Sequence, residues 1–146
     1  MSFSFKRAED SPGFLLWQIT NEWQRKQRMA LAKQDLTHVQ FVVLASLLWL
    51  TTHEPAPITQ QHIVQLANID KMMVSAVVST LVNKKLVKRL NNTDDARAYA
   101  LALTDLGHEK IIKAIPIVEG IDAKFFDKKN ARLVLLSHLL NKNLSS

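Results

Sequence analysis

Residues Ile58–Leu90 read ITQQHIVQLANIDKMMVSAVVSTLVNKKLVKRL, and the expected architecture is built around this stretch. Thr59 is placed to cap a short helix through about Ala67, with Ile63, Leu66 and Ala67 predicted inward. Asn68 ends that helix, because asparagine tolerates the left-handed backbone of a tight turn. Asp70 restarts a helix through about Lys84, in which Val74, Val77, Val78 and Leu81 follow the spacing of one buried face. Two short helices joined by so tight a turn form a helix-turn-helix candidate. Leu86–Leu90 and Ala98–Leu103 then have strand character. Between them Asn91, Asn92, Thr93, Asp94 and Asp95 favour a turn, which predicts a β-hairpin. A hairpin directly after the second helix makes a winged helix, whose second helix suits the DNA major groove and whose hairpin suits the neighbouring backbone or minor groove.

Helices are expected on both sides of this core. Ser11 followed by Pro12 starts one that runs to about Lys33, with Leu16, Ile19 and Trp23 as its apolar stripe. Thr37 opens a second, apolar nearly all round through Phe41, Leu44, Leu48 and Trp49, and His53–Pro57 is read as a loop. Thr104 caps a later helix carrying Leu106, Ile111, Ile112, Ile115 and Val118, with Pro116 as a candidate kink and Gly120 weakening its far end. Asp127 is predicted to cap the last helix, with Leu133, Leu136, Leu139 and Leu140 on one side. The expected fold class is mainly α: a winged helix-turn-helix with a two-stranded β-wing, and terminal helices that form a dimerisation region.

The 146 residues suit one domain, and a net charge of +6 gives the surface a field that gathers polyanions, nucleic acid foremost. The chain has no cysteine, which excludes disulfides and thiolate chemistry within it. The opening MSFSFK lacks the apolar segment of a secretory leader. The longest apolar run, Phe41–Leu50, is shorter than the roughly 20 residues a bilayer requires, so a cytoplasmic protein without membrane contact is expected. The five histidines are scattered, and neither a metal site nor a cofactor is expected. An enzyme would need a nucleophile with its base, a glycine-rich phosphate loop or a metal cluster, and none is visible. An architectural DNA binder stays open as an alternative; flat affinity across unrelated sequences would mark it.

Within this frame the segment from Ile58 to Gly107 resembles the MarR family of regulators. The likeness rests on the quoted stretch, the Asp95-Ala96-Arg97 element after the acidic turn, and Leu103-Thr104 with Gly107 at the family's spacing. Leu36–Leu50, LTHVQFVVLASLLWL, is similar to the family's second helix. The resemblance implies one domain over residues 1–146, with dimerisation helices at 11–36 and 105–146 and a DNA-binding lobe at 37–104. It implies a sequence-specific regulator of transcription that binds duplex DNA at a pseudo-palindromic operator as a homodimer, with repression the preferred sign of control. Asp95 would hold the wing and Arg97 would probe the minor groove, where narrow A·T-rich segments strengthen the negative potential. Many relatives take small aromatic or phenolic effectors, and Trp17, Trp23, His38, Phe41 and Trp49 are the candidates to line such a cavity, although aromatics at helical spacing are more often plain core.

The side of the second helix away from its valines carries Met72, Ala76, Ser79 and Asn83, flanked by Ser75 and Thr80, with Lys71 at its start. These groups suit thymine methyls or single base edges, and no arginine or glutamine is present for bidentate readout. Lys84, Lys85, Lys88 and Arg89 cluster where this helix meets the wing; Lys84, Lys88 and Arg89 are the expected phosphate contacts. Two positions depart from the family pattern: Lys85 stands where glycine usually closes the recognition helix, and Asn68 replaces a common glycine in the turn.

Overall fold

A computed structural model describes residues 2–92 and 97–144. Its helices are α1 (Pro12–Ala32), α2 (His38–His53), α3 (Gln60–Ala67), α4 (Lys71–Asn83), α5 (Asp105–Phe125) and α6 (Ala131–Leu144). Strands β1 (Val87–Leu90) and β2 (Ala100–Leu103) form an antiparallel pair in which Val87 faces Leu103 and Leu90 faces Ala100. The chain folds into two compact units, Met1–Ala30 with Val118–Ser146, and Leu31–Ile117.

In the second unit α2 begins with a reciprocal cap: the Thr37 hydroxyl accepts from the Gln40 amide and the Gln40 side chain accepts from the Thr37 amide, each at 3.1 Å. Its Val43, Leu44 and Leu47 are fully buried with Ile63 of α3, Val74, Val78 and Leu81 of α4, Leu86, and Ile111 of α5. Leu101 of β2 donates its backbone amide to the Ile58 carbonyl at 2.7 Å, so the sheet edge is tied to the segment entering α3. The first unit has its own core of Leu15, Ile19 and Phe125, covered by Trp23 and by Leu133, Leu135, Leu136 and Leu139 of α6.

Several local expectations are corrected. The buried line of α1 is Leu15, Ile19, Gln27 and Leu31, and Leu16 is exposed; the polar Gln27 in that line breaks the apolar pattern, while its amide is satisfied by Asp122 and the Val118 carbonyl. Leu66 and Leu140 are likewise exposed, and His53 is the last residue of α2 rather than part of the loop. The second strand starts at Ala100, not Ala98. Helix α5 continues past Pro116 and Gly120, because Ile111, Ala114, Val118 and Phe125 keep a buried stripe at i, i+3, i+7 and i+14 while the proline lies on the exposed side. Asn130, not Asp127, opens α6: its side-chain oxygen accepts from the Leu133 amide, whereas Asp127 closes the preceding turn by accepting from the Lys129 amide.

Candidate nucleic-acid interface

The turn between α3 and α4 explains how α4 is presented. Asn68 takes φ +53°, and the Asp70 carboxylate accepts from the amides of Met72 at 3.0 Å and Met73 at 3.2 Å, fixing the first turn of α4. Val74, Val77, Val78 and Leu81 are buried as predicted. That burial rotates Lys71, Met72, Ser75, Ala76, Thr80 and Asn83 into solvent, with Ser79 half-buried among them.

The end of α4 resolves the missing glycine. Lys85 itself adopts φ +62°, its amide bonds the Val82 carbonyl, and the Leu86 amide bonds the Leu81 carbonyl, the double closure that glycine ordinarily serves. Holding a lysine in this left-handed backbone costs about 1–2 kcal/mol of strain that glycine does not incur. Lys85→Gly is therefore expected to raise the urea midpoint, by about 0.5–1 kcal/mol of stability, since the strain relieved exceeds the added freedom of the unfolded chain.

Thr104 then locks this closure onto α5. Its hydroxyl donates to the Lys85 carbonyl at 2.6 Å and accepts from the Gly107 amide at 3.0 Å, while its own amide donates to the Leu86 carbonyl at 3.1 Å. Gly107 is buried, and a side chain there would stand 1.9 Å from the Leu86 carbonyl oxygen, so this approach requires glycine. The Leu103-Thr104-Gly107 pattern is thus a clasp that sets the exit angle of α4.

The wing is joined to α4 directly. The Arg89 guanidinium on β1 donates to the Ser79 hydroxyl at 3.0 Å, which sets a cation beside the outward face of the helix, and Lys88 is exposed on the same strand. Lys84 is placed differently: its ammonium bonds the Asp35 carbonyl and lies 3.4 Å from the Asp35 carboxylate, tying the end of α4 to the turn before α2. Arg97 is exposed on the approach to β2, and Asp95 lies outside the described residues.

The family model for the ArnR1-like winged-helix domain matches residues 32–122. An uncharacterized HTH-type transcriptional regulator, YdcH of Bacillus subtilis, is 48% identical over 122 residues, spanning 84% of this chain and 82% of that one. A mutant MarR from E. coli complexed with operator DNA superimposes with a TM-score of 0.73 at 25% identity, over 90% of this chain and 92% of that one. The chain belongs to the MarR family. It is a transcriptional regulator built on a winged-helix DNA-binding fold. MepR of S. aureus, solved as a DNA complex, shares the fold with a TM-score of 0.73 at 22% identity, over 95% and 98% of the two chains.

The aromatic residues suggested by the MarR resemblance separate into two groups. In the first unit Trp17 is exposed beside a surface hollow of about 490 Å³ that Arg25, Arg28 and Arg132 also line, while the Trp23 indole donates to Asp122 at 2.7 Å and packs on the core. In the second, Phe41 is buried, His38 is half-buried at the start of α2, and Trp49 points outward with its ring stacked on His53 at 3.8 Å. Among the described residues no group of three or more histidine and acidic side chains is placed to hold a metal ion, and no helix is long and apolar enough to cross a membrane.

Two exposed residues, one on α4 and one just before β2, were not singled out from the sequence. Met73, half exposed, sits beside Met72 in the first turn of α4, and a helical projection places it at the margin of the outward face. Tyr99, exposed just before β2, carried no signal in the sequence.

Proposed function

We infer that the protein binds a pseudo-palindromic operator in duplex DNA as a homodimer and represses transcription there, acting by binding rather than by catalysis and inside the cell where DNA lies. The observation that carries this reading is the Arg89–Ser79 hydrogen bond, which sets a wing cation beside the solvent-facing surface of α4. Lys71, Met72, Ser75, Ala76, Ser79, Thr80 and Asn83 would face the major groove, Lys88 and Arg89 the phosphates, and Arg97, with Asp95, the minor groove. Residues 37–104 would form the DNA-binding lobe, and residues 11–36 and 105–146 would dimerise. Exposed Phe14, Leu16 and Trp17 on α1, and Val134 and Leu140 on α6, favour that role. Control by a small aromatic or phenolic effector belongs to the same reading, by analogy with CouR of Rhodococcus jostii, a neighbour of this fold solved with p-coumaroyl-CoA.

Selection of random duplex DNA by the purified protein tests the reading. The expected winner has two inverted half-sites about one helical turn apart and binds at least about a thousandfold tighter than scrambled duplex at fixed salt. Equal affinity for both would overturn it. Lys88→Ala should weaken binding to every duplex alike and reduce the salt slope by about one. Lys84→Ala should move that slope much less, because its ammonium is already engaged by Asp35. Fluorescence anisotropy from about 50 to 200 mM salt measures both.

A further inference from the structure

The outward face of α4 changes character once its hydrogen bonds are assigned. Four of its side chains bear hydroxyls or an amide in the sequence: Ser75, Ser79, Thr80 and Asn83. The Ser79 hydroxyl, however, accepts the Arg89 guanidinium at 3.0 Å. The Thr80 hydroxyl turns back to the Ala76 carbonyl one turn earlier at 3.2 Å, which leaves the threonine methyl as its outward group. What remains exposed at the middle and leading end of the face is Met72, Met73 and Ala76, with the Ser75 hydroxyl and the Lys71 ammonium beside them. Met72 is 80% exposed, Met73 is 50% exposed, and the Ala76 methyl lies one turn beyond Met72. Two adjacent exposed methionines carry no stability benefit in water, and they occupy the N-terminal turn that a recognition helix inserts deepest into the groove.

We propose that Met72 and Ala76, flanked by Met73, read the C5-methyl groups of thymines in each half-site, so that the operator is chosen through apolar contact with T·A pairs rather than through bidentate hydrogen bonds to guanine or adenine. This rests on the reading above that α4 enters the major groove. The physical basis is that thymine alone among the four bases presents a methyl group there, so an apolar side chain at that position discriminates against every other pair. Methionine suits the task because its unbranched thioether adapts to the shape of a methyl edge at little strain. In the same arrangement Ser79 is a positioning residue: its hydroxyl accepts from Arg89 and holds that cation beside the helix.

The test replaces thymine with deoxyuridine, one position at a time, in the duplex selected by the wild-type protein. This removes the methyl group and keeps Watson–Crick pairing. Each thymine packed against the helix should lose about fourfold in affinity when its methyl is removed, the transfer worth of one buried carbon. In Met72→Ala the deoxyuridine penalty at the facing position should disappear. In Ser79→Ala the penalty should stay while all duplexes weaken together. A winner without thymine in the half-sites, no deoxyuridine penalty at any position, or an undiminished penalty in Met72→Ala would each overturn the proposal while the preference for the winner over scrambled duplex stands. Loss of that preference itself would instead sink the operator reading on which the proposal rests.

Discussion

Gly107→Ala is expected to destabilise the protein by about 3 kcal/mol or more, the upper end of overpacking costs, because the added methyl would overlap the Leu86 carbonyl, a backbone atom that cannot rotate away. The Leu86 carbonyl already accepts the Thr104 amide, and the adjacent Lys85 carbonyl accepts the Thr104 hydroxyl. Any retreat of that strand of backbone therefore breaks the clasp that sets the end of α4. Urea unfolding followed by circular dichroism measures the loss. Gly120→Ala supplies an internal control on the same helix: nothing lies within 4 Å of the added carbon, so the change should stabilise by about 0.5–1 kcal/mol through helix propensity alone. Equal midpoints for the two variants would show that close approach to Leu86 does not govern this junction. DNA affinity adds a second readout, since a displaced helix end should weaken operator binding in whatever fraction of Gly107→Ala remains folded.

Asp122→Ala is the second large effect, expected at about 3 kcal/mol, roughly a hundredfold in the folding equilibrium. The Asp122 carboxylate accepts from the Trp23 indole at 2.7 Å and from the Gln27 amide at 2.8 Å. Gln27 is fully buried, and its other amide hydrogen bond, to the Val118 carbonyl, is longer at 3.3 Å. Removing the carboxylate strands a buried donor, which costs more than the bond it made. The Gln27 side-chain oxygen has no partner among the described residues, so the site already holds one unsatisfied group. Gln27→Met keeps the volume and removes both polar atoms. Combined with Asp122→Ala, it should recover much of the lost stability, a non-additive result that a double-mutant cycle reads directly. Additive losses would mean that the two side chains act independently. Because dimerisation is part of the proposed function, unfolding is best followed at two protein concentrations.

The helix-turn-helix and wing were legible because each signal there is local. Asn68 and Asp70 punctuate the turn, four aliphatic residues mark the buried side of α4, and a cluster of turn formers separates the strands. Capping at Thr37 and the positive φ at Asn68 follow from side chains that reach only a few residues along the chain. The terminal helices were read less well. Leu16 looked like core and Gln27 did not, because the partner that makes Gln27 tolerable, Asp122, lies 95 residues away. Asp127 and Asn130 are both good caps in isolation, and only the position of the preceding turn decides between them.

The interface divides along the same line. Its residue types, the basic cluster and the outward face of α4 were set by the order of amino acids, since a helix with one buried stripe must turn the opposite stripe to solvent. The division of labour among those residues was not. Lys84 engages Asp35, Arg89 engages Ser79, and Gly107 admits a carbonyl from a segment 21 residues earlier; each is a contact between different elements of the chain. Element order and the solvent-facing side of α4 could be read from the residues alone, because they depend on periodicity and short-range capping, while the MarR likeness rests on motif residues at the family's spacing. That Lys84 is held by Asp35 and Ser79 by Arg89 emerged only from the folded chain, because a hydrogen bond between different elements exists only once they have packed together.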